Sequence, residues 1–166
     1  MHFSTSTFRS LPAALLRDPP SARTAAIAQA FSSGGIDEAL RVMNAGVAHR
    51  YSGIFALDGA LLRNTHMFDK LGEVKPEALE VVVLKDSFCQ IVLREGFFLT
   101  DNTAQDRRLD YSPFQGVVMS YHGVPLLNDR GELHGTLCHF DMVEQSISDE
   151  ELACLQFTAK LLPSYL

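Results

Sequence analysis

The sequence is poor in cysteine and in basic residues, and it has no long apolar run. Its three cysteines, Cys89, Cys138 and Cys154, are too few and too far apart for a disulfide framework or a paired-cysteine zinc site, and their odd number favours a reducing compartment. Lys and Arg total 14 against 20 for Asp and Glu, which argues against a nucleic-acid or anionic-membrane partner. The apolar stretch at residues 11–16 is too short for a signal peptide or a membrane span. We therefore expect a cytoplasmic protein.

The composition that remains is that of one globular domain. Hydrophobic residues make up 46% of the 166 residues, and a chain of this length buries enough surface to fold without a metal or a disulfide. Residues 1–20 are rich in Ser and Thr and end in two prolines, so we expect a flexible N-terminal arm there. The domain itself should occupy residues 21–166.

Apolar periodicity predicts helices and then a β-hairpin. A short helix over residues 21–31 should break at 32–35, and an amphipathic helix should follow over 36–48. Two strand-like runs, 51–57 and 60–68, flank Asp58-Gly59, a dipeptide preferred in type I′ turns.

The predicted hairpin register groups several side chains on one face. With Leu57 opposite Ala60, the side chains of Tyr51, Asn64 and His66 should share a face of the sheet, together with Phe55.

The middle of the chain predicts a cover over the sheet. After an apolar run at 79–84, Asp86 can cap a brief helix that ends at Gly96, and a strand follows over 97–100. The polar stretch 101–113 is long for a connection, and loops of that size often cover a site.

A second hairpin and a final helix complete the predicted elements. The hairpin pairs residues 117–127 with 133–141. In the helix, Ser148 and Glu151 form a capping box, and Pro163 ends the helix.

The final helix carries two apolar stripes. Leu152 and Leu155 mark one stripe, and Cys154 and Phe157 mark the other, nearly opposite. One stripe should face the sheet, and the second should face either the first helices of the same chain or a second subunit, which motivates a homodimer through terminal helices.

This element order predicts an α+β domain. A central antiparallel β-sheet should have helices packed on one face and the segment 86–116 on the other. The space between that segment and the sheet is the expected place for a small-molecule cavity.

Three stretches of the chain resemble the GAF domain family. Residues 121–141 contain the pattern G-x-x-x-G-T-L-C-x-F-D, from Gly131 to Asp141, which is fairly specific to the family. Residues 86–104 resemble the short helix and the strand that border the GAF pocket, and residues 51–59 resemble the first strand and turn of the family. The resemblance covers most of residues 36–162 and implies a sensory module with a ligand pocket on the open face of the sheet.

The resemblance leaves the ligand open, because GAF domains bind cyclic nucleotides, bilins, haem or metabolites, and often pair through their terminal helices. The residues that bind cyclic nucleotides in the family are not found at matching positions. Cys138-His139 is similar to the dipeptide that attaches bilins, but it lies in a strand rather than in the pocket cover. We therefore name no cofactor.

Some single-domain GAF proteins are free methionine-R-sulfoxide reductases. Those enzymes carry a cysteine in the loop that corresponds to 101–113, and this loop has none. We therefore expect no enzyme activity and treat a thiol-dependent reductase as the third hypothesis.

The predicted ligand-binding residues come from the sheet, the brief helix and the covering loop. They are Phe55, Asn64, His66, Ser87, Phe88, Cys89, Asp101, Thr103, Tyr111, Phe114, Tyr121 and His139.

Several of these residues have a second interpretation. Cys89 in a first helical turn is either a reactive thiol or a small core residue. The polar residues of the loop, such as Asp101, either contact a ligand or are merely solvated. His66, His122 and His139 could converge on a metal, but strand histidines more often hydrogen-bond within a fold, and we predict no metal site.

The first functional hypothesis is a regulatory domain that binds a small, mostly apolar or weakly polar molecule. It would signal through ordering of the 101–113 loop and through partner or dimer contacts. The second is a structural dimerisation module whose pocket is closed.

Overall fold

An antiparallel sheet of six strands forms the centre of the fold. The computed structural model describes residues 21–73 and 75–166, and the predicted arm over residues 1–20 lies outside the described residues. The strands follow the order β3-β2-β1-β6-β5-β4 across the sheet. They are β1 (Tyr51–Asp58), β2 (Leu61–Asp69), β3 (Val81–Val83), β4 (Phe98–Thr100), β5 (Ser120–Leu127) and β6 (Leu133–Asp141). The helices are α1 (Ala22–Asn44), α2 (Cys89–Glu95) and α3 (Asp149–Leu161).

The helical segment α1 folds back on itself at Gly35, whose φ of 71° and ψ of −154° are not helical. Near its start, Arg23 donates hydrogen bonds to the carbonyls of Val42 and Met43, at 3.1 and 3.0 Å. In a straight helix, residues that far apart would be separated by roughly 30 Å, so the two arms must lie side by side. The predicted break at 32–35 is confirmed, whereas the second arm ends at Asn44 rather than at residue 48.

The first hairpin forms as predicted, but its register is different. Asp58 pairs with Leu61, so the two turn residues are Gly59 and Ala60. Gly59 has a φ of 61°, and no non-glycine residue in the described part of the chain has a positive φ. That combination is typical of a type II′ turn and not of the predicted type I′ turn.

A bulge in β2 then separates two residues that were predicted to share a face. Phe55 pairs with Asn64, but the preceding residue of β1, Ile54, pairs with His66. The extra residue in β2 reverses which side chains face each side of the sheet. The expected grouping of Tyr51, Asn64 and His66 is therefore wrong, because His66 pairs with a residue of the opposite face.

The two faces of the sheet carry separate cores. On the side that we call the lid face, Tyr51, Phe55 and Phe140 pack with residues from α2. On the other side, the helix face, Ile54 and Leu137 pack with α1 and α3. This arrangement confirms the predicted α+β fold with helices on one face and the segment 86–116 over the other. Among residues 21–73 and 75–166, none of the helices combines the length and the hydrophobicity that a membrane span requires.

Helix α3 packs against α1 and β5 of the same chain. Ser148 Oγ accepts a hydrogen bond from the amide of Glu151 at 3.1 Å, as the capping box predicts. Leu155 and Cys154, one from each predicted stripe, are both buried. The first helices of this chain therefore cover much of the second stripe.

The Glu151 carboxylate binds Arg23 rather than the backbone of its own helix. The guanidinium contacts both carboxylate oxygens, at 2.8 and 2.9 Å. Because Arg23 also bonds the last carbonyls of α1, this single side chain joins both arms of α1 to α3. Gly46 lies so close that an added Cβ would overlap the ion pair, with Glu151 Cδ only 2.6 Å away.

We expect Arg23→Met to lower the free energy of unfolding by about 2 kcal/mol, because it leaves a buried carboxylate without a partner. The control is Arg130→Met, whose partner Glu132 is exposed and whose loss should cost less than about 0.5 kcal/mol. Urea denaturation at neutral pH measures both values. Equal losses for the two variants would contradict the role given to Arg23.

Candidate functional site

A small apolar cavity of about 50 Å³ lies between the lid face and the segments that cover it. The sheet supplies its floor, and α2 and the connection before β5 supply its roof. The lining residues are Phe55, Leu79, Val82, Ser87, Phe88, Cys89, Phe114, Val118, Tyr121 and Phe140.

Local signals at both ends of α2 place its residues over the cavity. Ser87 Oγ accepts a hydrogen bond from the amide of Gln90 at 3.2 Å. Ser87, and not Asp86 as predicted, therefore caps a backbone amide in the first turn of α2. Gly96 ends the helix in the left-handed region, with a φ of 91°, as expected for a C-terminal glycine. Phe88 then meets the ring of Tyr121 edge to face, with the centroids 5.6 Å apart.

Residues 101–119, which we call the lid, are tied by side-chain hydrogen bonds to the turn before α2 and to strand β5. Tyr111 donates its hydroxyl to the carbonyl of Ser87 at 2.6 Å, and Ser112 donates to the carbonyl of Asp86 at 2.5 Å. Within the lid, Thr103 donates to the carbonyl of Val118 at 2.6 Å. The predicted loop is thus an ordered cover.

Six of the predicted site residues line the cavity together. They are Phe55, Ser87, Phe88, Cys89, Phe114 and Tyr121. Tyr111 lies beside them, bonded to Ser87. Thr103 is buried inside the lid and does not line the cavity.

The structure does not bring the other four predicted residues into the cavity. Asn64 supports the bulge by donating to the carbonyls of Ile54 and His66, at 3.0 and 2.9 Å. His66 bonds the neighbouring Thr65 hydroxyl. Asp101 and His139 belong to a polar cluster on the helix face.

Four lining residues were missed from the sequence: Leu79, Val82, Val118 and Phe140. Phe140 could have been found, because β6 pairs it with Tyr121, and paired residues share a face. Leu79 and Val82 reach the cavity only through the pairing of the short edge strand β3, which no local signal predicts.

Cys89 is held as a neutral thiol in the cavity wall. Its Sγ lies 3.2 Å from the Thr136 hydroxyl and 3.4 Å from the Tyr121 hydroxyl. Burial raises the pKa of Cys89, and the two hydrogen bonds oppose this only in part. Burial likewise raises the pKa of Tyr121. Desolvation thus raises the pKa of Cys89 more than the helix N-terminus lowers it. The thiol therefore stays protonated and lacks the thiolate character of a nucleophile.

Three histidines converge on the helix face instead of on the cavity. His122 Nε2 lies 2.8 Å from Asp101 Oδ1, and its Nδ1 lies 2.8 Å from His49 Nε2. The ring of His139 lies 5.5 Å from that of His49. His122 and His139 meet as the sequence allowed, but the third member is His49, from the connection between α1 and β1, and not His66.

These histidines are kept neutral by their surroundings. Burial, followed by the nearby His122, lowers the pKa of His49 to about 4. Burial also lowers the pKa values of His122 and His139. Within residues 21–73 and 75–166, no three His, Cys, Asp or Glu side chains are arranged to hold a metal ion.

The neutral histidines predict a loss of stability in mild acid. Between pH 7 and 5 the unfolded chain gains a proton at His49 that the folded chain does not, so the free energy of unfolding should fall by about 2 kcal/mol from this residue. His49→Gln should show a correspondingly shallower pH dependence in urea denaturation. The half-exposed His66, replaced by Gln, serves as the control and should keep the wild-type slope. An unchanged slope in His49→Gln would contradict this account.

The buried thiols predict slow chemical modification. At pH 8, we expect iodoacetamide to label Cys89, Cys138 and Cys154 at least about 100-fold more slowly in the folded protein than in denaturant, because each must first be exposed. Ser164→Cys adds an exposed thiol that should react at once, and mass spectrometry of peptides separates the sites. Fast labelling of Cys89 in the folded protein would instead indicate an activated thiol.

Comparison with solved structures identifies the fold. The GAF domain of an Acinetobacter phosphoenolpyruvate-protein phosphotransferase is similar over 86% of this chain and 89% of its own, with a TM-score of 0.68 and 16% identity. The corresponding domain from Coxiella burnetii covers the same shares, with a TM-score of 0.64 and 13% identity.

The same fold also occurs in an enzyme. Free methionine-R-sulfoxide reductase from Neisseria meningitidis, solved with its substrate, is similar over 86% of this chain and 83% of its own, with a TM-score of 0.63 and 15% identity. No family model and no curated protein matches the sequence. The sheet order, the helix face and the lidded cavity, together with these structures, show that the chain has a GAF-like α+β fold.

Proposed function

We propose that this chain is a non-catalytic regulatory domain that binds a small apolar molecule in the cavity beneath the lid. The observation that supports the proposal is the lining, in which eight of ten side chains are aliphatic or aromatic. The polar atoms of Cys89 and Tyr121 are already hydrogen-bonded to protein groups. A charged or sugar-like ligand would find no free partner in this lining, so its desolvation would not be offset.

The size of the cavity limits which ligands can bind without a change in the structure. A volume of about 50 Å³ holds only a few non-hydrogen atoms, so a larger ligand requires one wall to move. Phe114 is the only aromatic member of the lining that belongs to the lid, and it is half-buried. We therefore infer that ligand entry displaces the Phe114 ring and that the conformation of the lid changes when the cavity is occupied.

The chemistry of the lining supports binding rather than catalysis. The reductases with this fold act on free methionine sulfoxide, a zwitterion, whereas this cavity offers an apolar wall. Its only thiol, Cys89, is kept protonated by burial. Because the three cysteines are free and buried, we also propose that the protein works in a reducing compartment, the cytoplasm.

A second candidate is an assembly module whose pocket stays closed, and the small volume of the cavity favours it. In this case a homodimer would use the outer side of α3 and the residues after it. Phe157 is half-buried there, and Tyr165 and Leu166 are exposed.

Enlarging the cavity separates the two candidates. In Phe114→Ala, we expect benzene at about ten times its Kd to stabilise the fold by about 1.4 kcal/mol, a rise in Tm of about 3–5 °C. Xenon, a single atom, should bind the wild-type cavity, because apolar cavities of this kind stay dry and accept such guests. Differential scanning calorimetry measures benzene binding, and ¹²⁹Xe NMR measures xenon binding.

The matched control is Phe97→Ala, which removes the same ring from the helix face. Benzene should not stabilise this variant. If neither benzene nor xenon binds the wild type or Phe114→Ala, or if Phe97→Ala responds equally, ligand binding in the cavity is refuted and the assembly module remains.

A further inference from the structure

The histidine cluster on the helix face contains two buried ring nitrogens that no described residue satisfies. They are His49 Nδ1 and His139 Nε2. Both residues are fully buried, and a buried polar atom without a partner destabilises the fold because nothing replaces its lost hydrogen bond to water. Which of the two nitrogens carries a proton follows from the hydrogen bonds of their neighbours.

Asp101, His122 and His49 form a first run of hydrogen bonds, and Asp101 determines its direction. A carboxylate only accepts, so His122 must donate from Nε2 to Asp101 Oδ1, at 2.8 Å. In a neutral ring His122 Nδ1 is then an acceptor, and it receives the Nε2 proton of His49 at 2.8 Å. The remaining nitrogen of neutral His49, Nδ1, therefore carries a lone pair.

A second run of hydrogen bonds connects Lys70, Asn44, Ser52 and His139, and Lys70 determines its direction. An ammonium group only donates, so the side-chain oxygen of Asn44 accepts from Lys70 Nζ. The amide nitrogen of Asn44 then donates to Ser52 Oγ at 2.7 Å.

The Ser52 hydroxyl has one proton, and its other neighbour is His139 Nδ1, at 2.6 Å. If His139 donated to Ser52, the hydroxyl proton would have no acceptor among the described residues in a fully buried site. Ser52 therefore donates to His139 Nδ1, and the Nε2 of neutral His139 carries the proton.

The two runs end on complementary atoms, an acceptor on His49 and a donor on His139. We propose that His49 Nδ1 and His139 Nε2 bind one buried water molecule. The ring centroids are 5.5 Å apart, so the two rings are close enough for one oxygen to lie about 2.9 Å from a nitrogen of each ring, at hydrogen-bond distance from both. Buried waters commonly satisfy such groups. A metal ion would need lone pairs on both nitrogens, and His139 offers an N–H.

With this water, the two runs join into one continuous chain of hydrogen bonds through the core of the helix face. Every donor points the same way, from the Lys70 ammonium through the Asn44, Ser52, His139, water, His49 and His122 groups to the Asp101 carboxylate. Asp101 is the first residue of the lid, and its side chain is 56% exposed. Asn44 is the last residue of α1. This chain of hydrogen bonds therefore links the first residue of the lid to the last residue of α1.

NMR of the full-length protein labelled with ¹⁵N-histidine tests the proposal at pH 7.5. We expect His49, His122 and His139 to show the neutral Nε2–H tautomer in long-range ¹H–¹⁵N spectra. The Nε2 proton of His139 should exchange slowly and show a cross-relaxation peak to bound water. A His139 protonated at Nδ1, or the absence of the water peak, overturns the proposal. Stoichiometric shifts of His49 and His139 on adding Zn²⁺ would assign the site to a metal instead.

A lid variant tests whether Asp101 sets the direction of the first run. In Asp101→Ala, we expect His122 and His49 to lose their single tautomer, whereas His139, held from the Lys70 end, keeps its Nε2 proton. The matched control is Asp106→Ala, which removes a lid carboxylate that binds Arg108 and should leave all three tautomers unchanged. Unchanged tautomers in Asp101→Ala, or changed ones in Asp106→Ala, would show that Asp101 does not set this direction.

Discussion

The alternation of side chains along β1, β5 and β6 is the constraint on which the rest of the structure depends. Along β1, Tyr51 and Phe55 point to the lid face, while Ser52 and Ile54 point to the helix face. Because residues paired across antiparallel strands share a face, each strand extends the same division. Aromatic rings therefore collect under the lid, and the buried histidines collect under the helices.

This division explains the different chemistry of the two faces. Under the lid, rings fill most of the volume and leave an apolar space of about 50 Å³, where a thiol stays neutral because charge cannot be solvated. Under the helices, polar groups on β1, β5 and β6 are cut off from solvent, so they must bond one another. The lid belongs to both systems, since Phe114 lines the cavity and Asp101 ends the histidine chain.

Elements with strong local signals could be predicted from the sequence. The glycine after α2, the serine cap of α3 and the break at Gly35 each act within a few residues, and the structure has all three. Six of the twelve predicted site residues line one cavity, because two-residue alternation and the position of α2 follow from such signals. The misplaced His66 has a specific cause: one bulge residue in β2 reverses the side of the sheet that it faces.

The sequence by itself determined the order of the elements, the α+β class and the absence of a cysteine from the lid, since periodicity and capping depend on near neighbours. Only the tertiary structure decided that Glu151 binds Arg23 instead of its own helix end, that His49 joins His122 and His139, and that the cavity is small. Each of these depends on contacts between residues far apart in the chain. Their energies come from packing and from burial away from water, which no local pattern encodes.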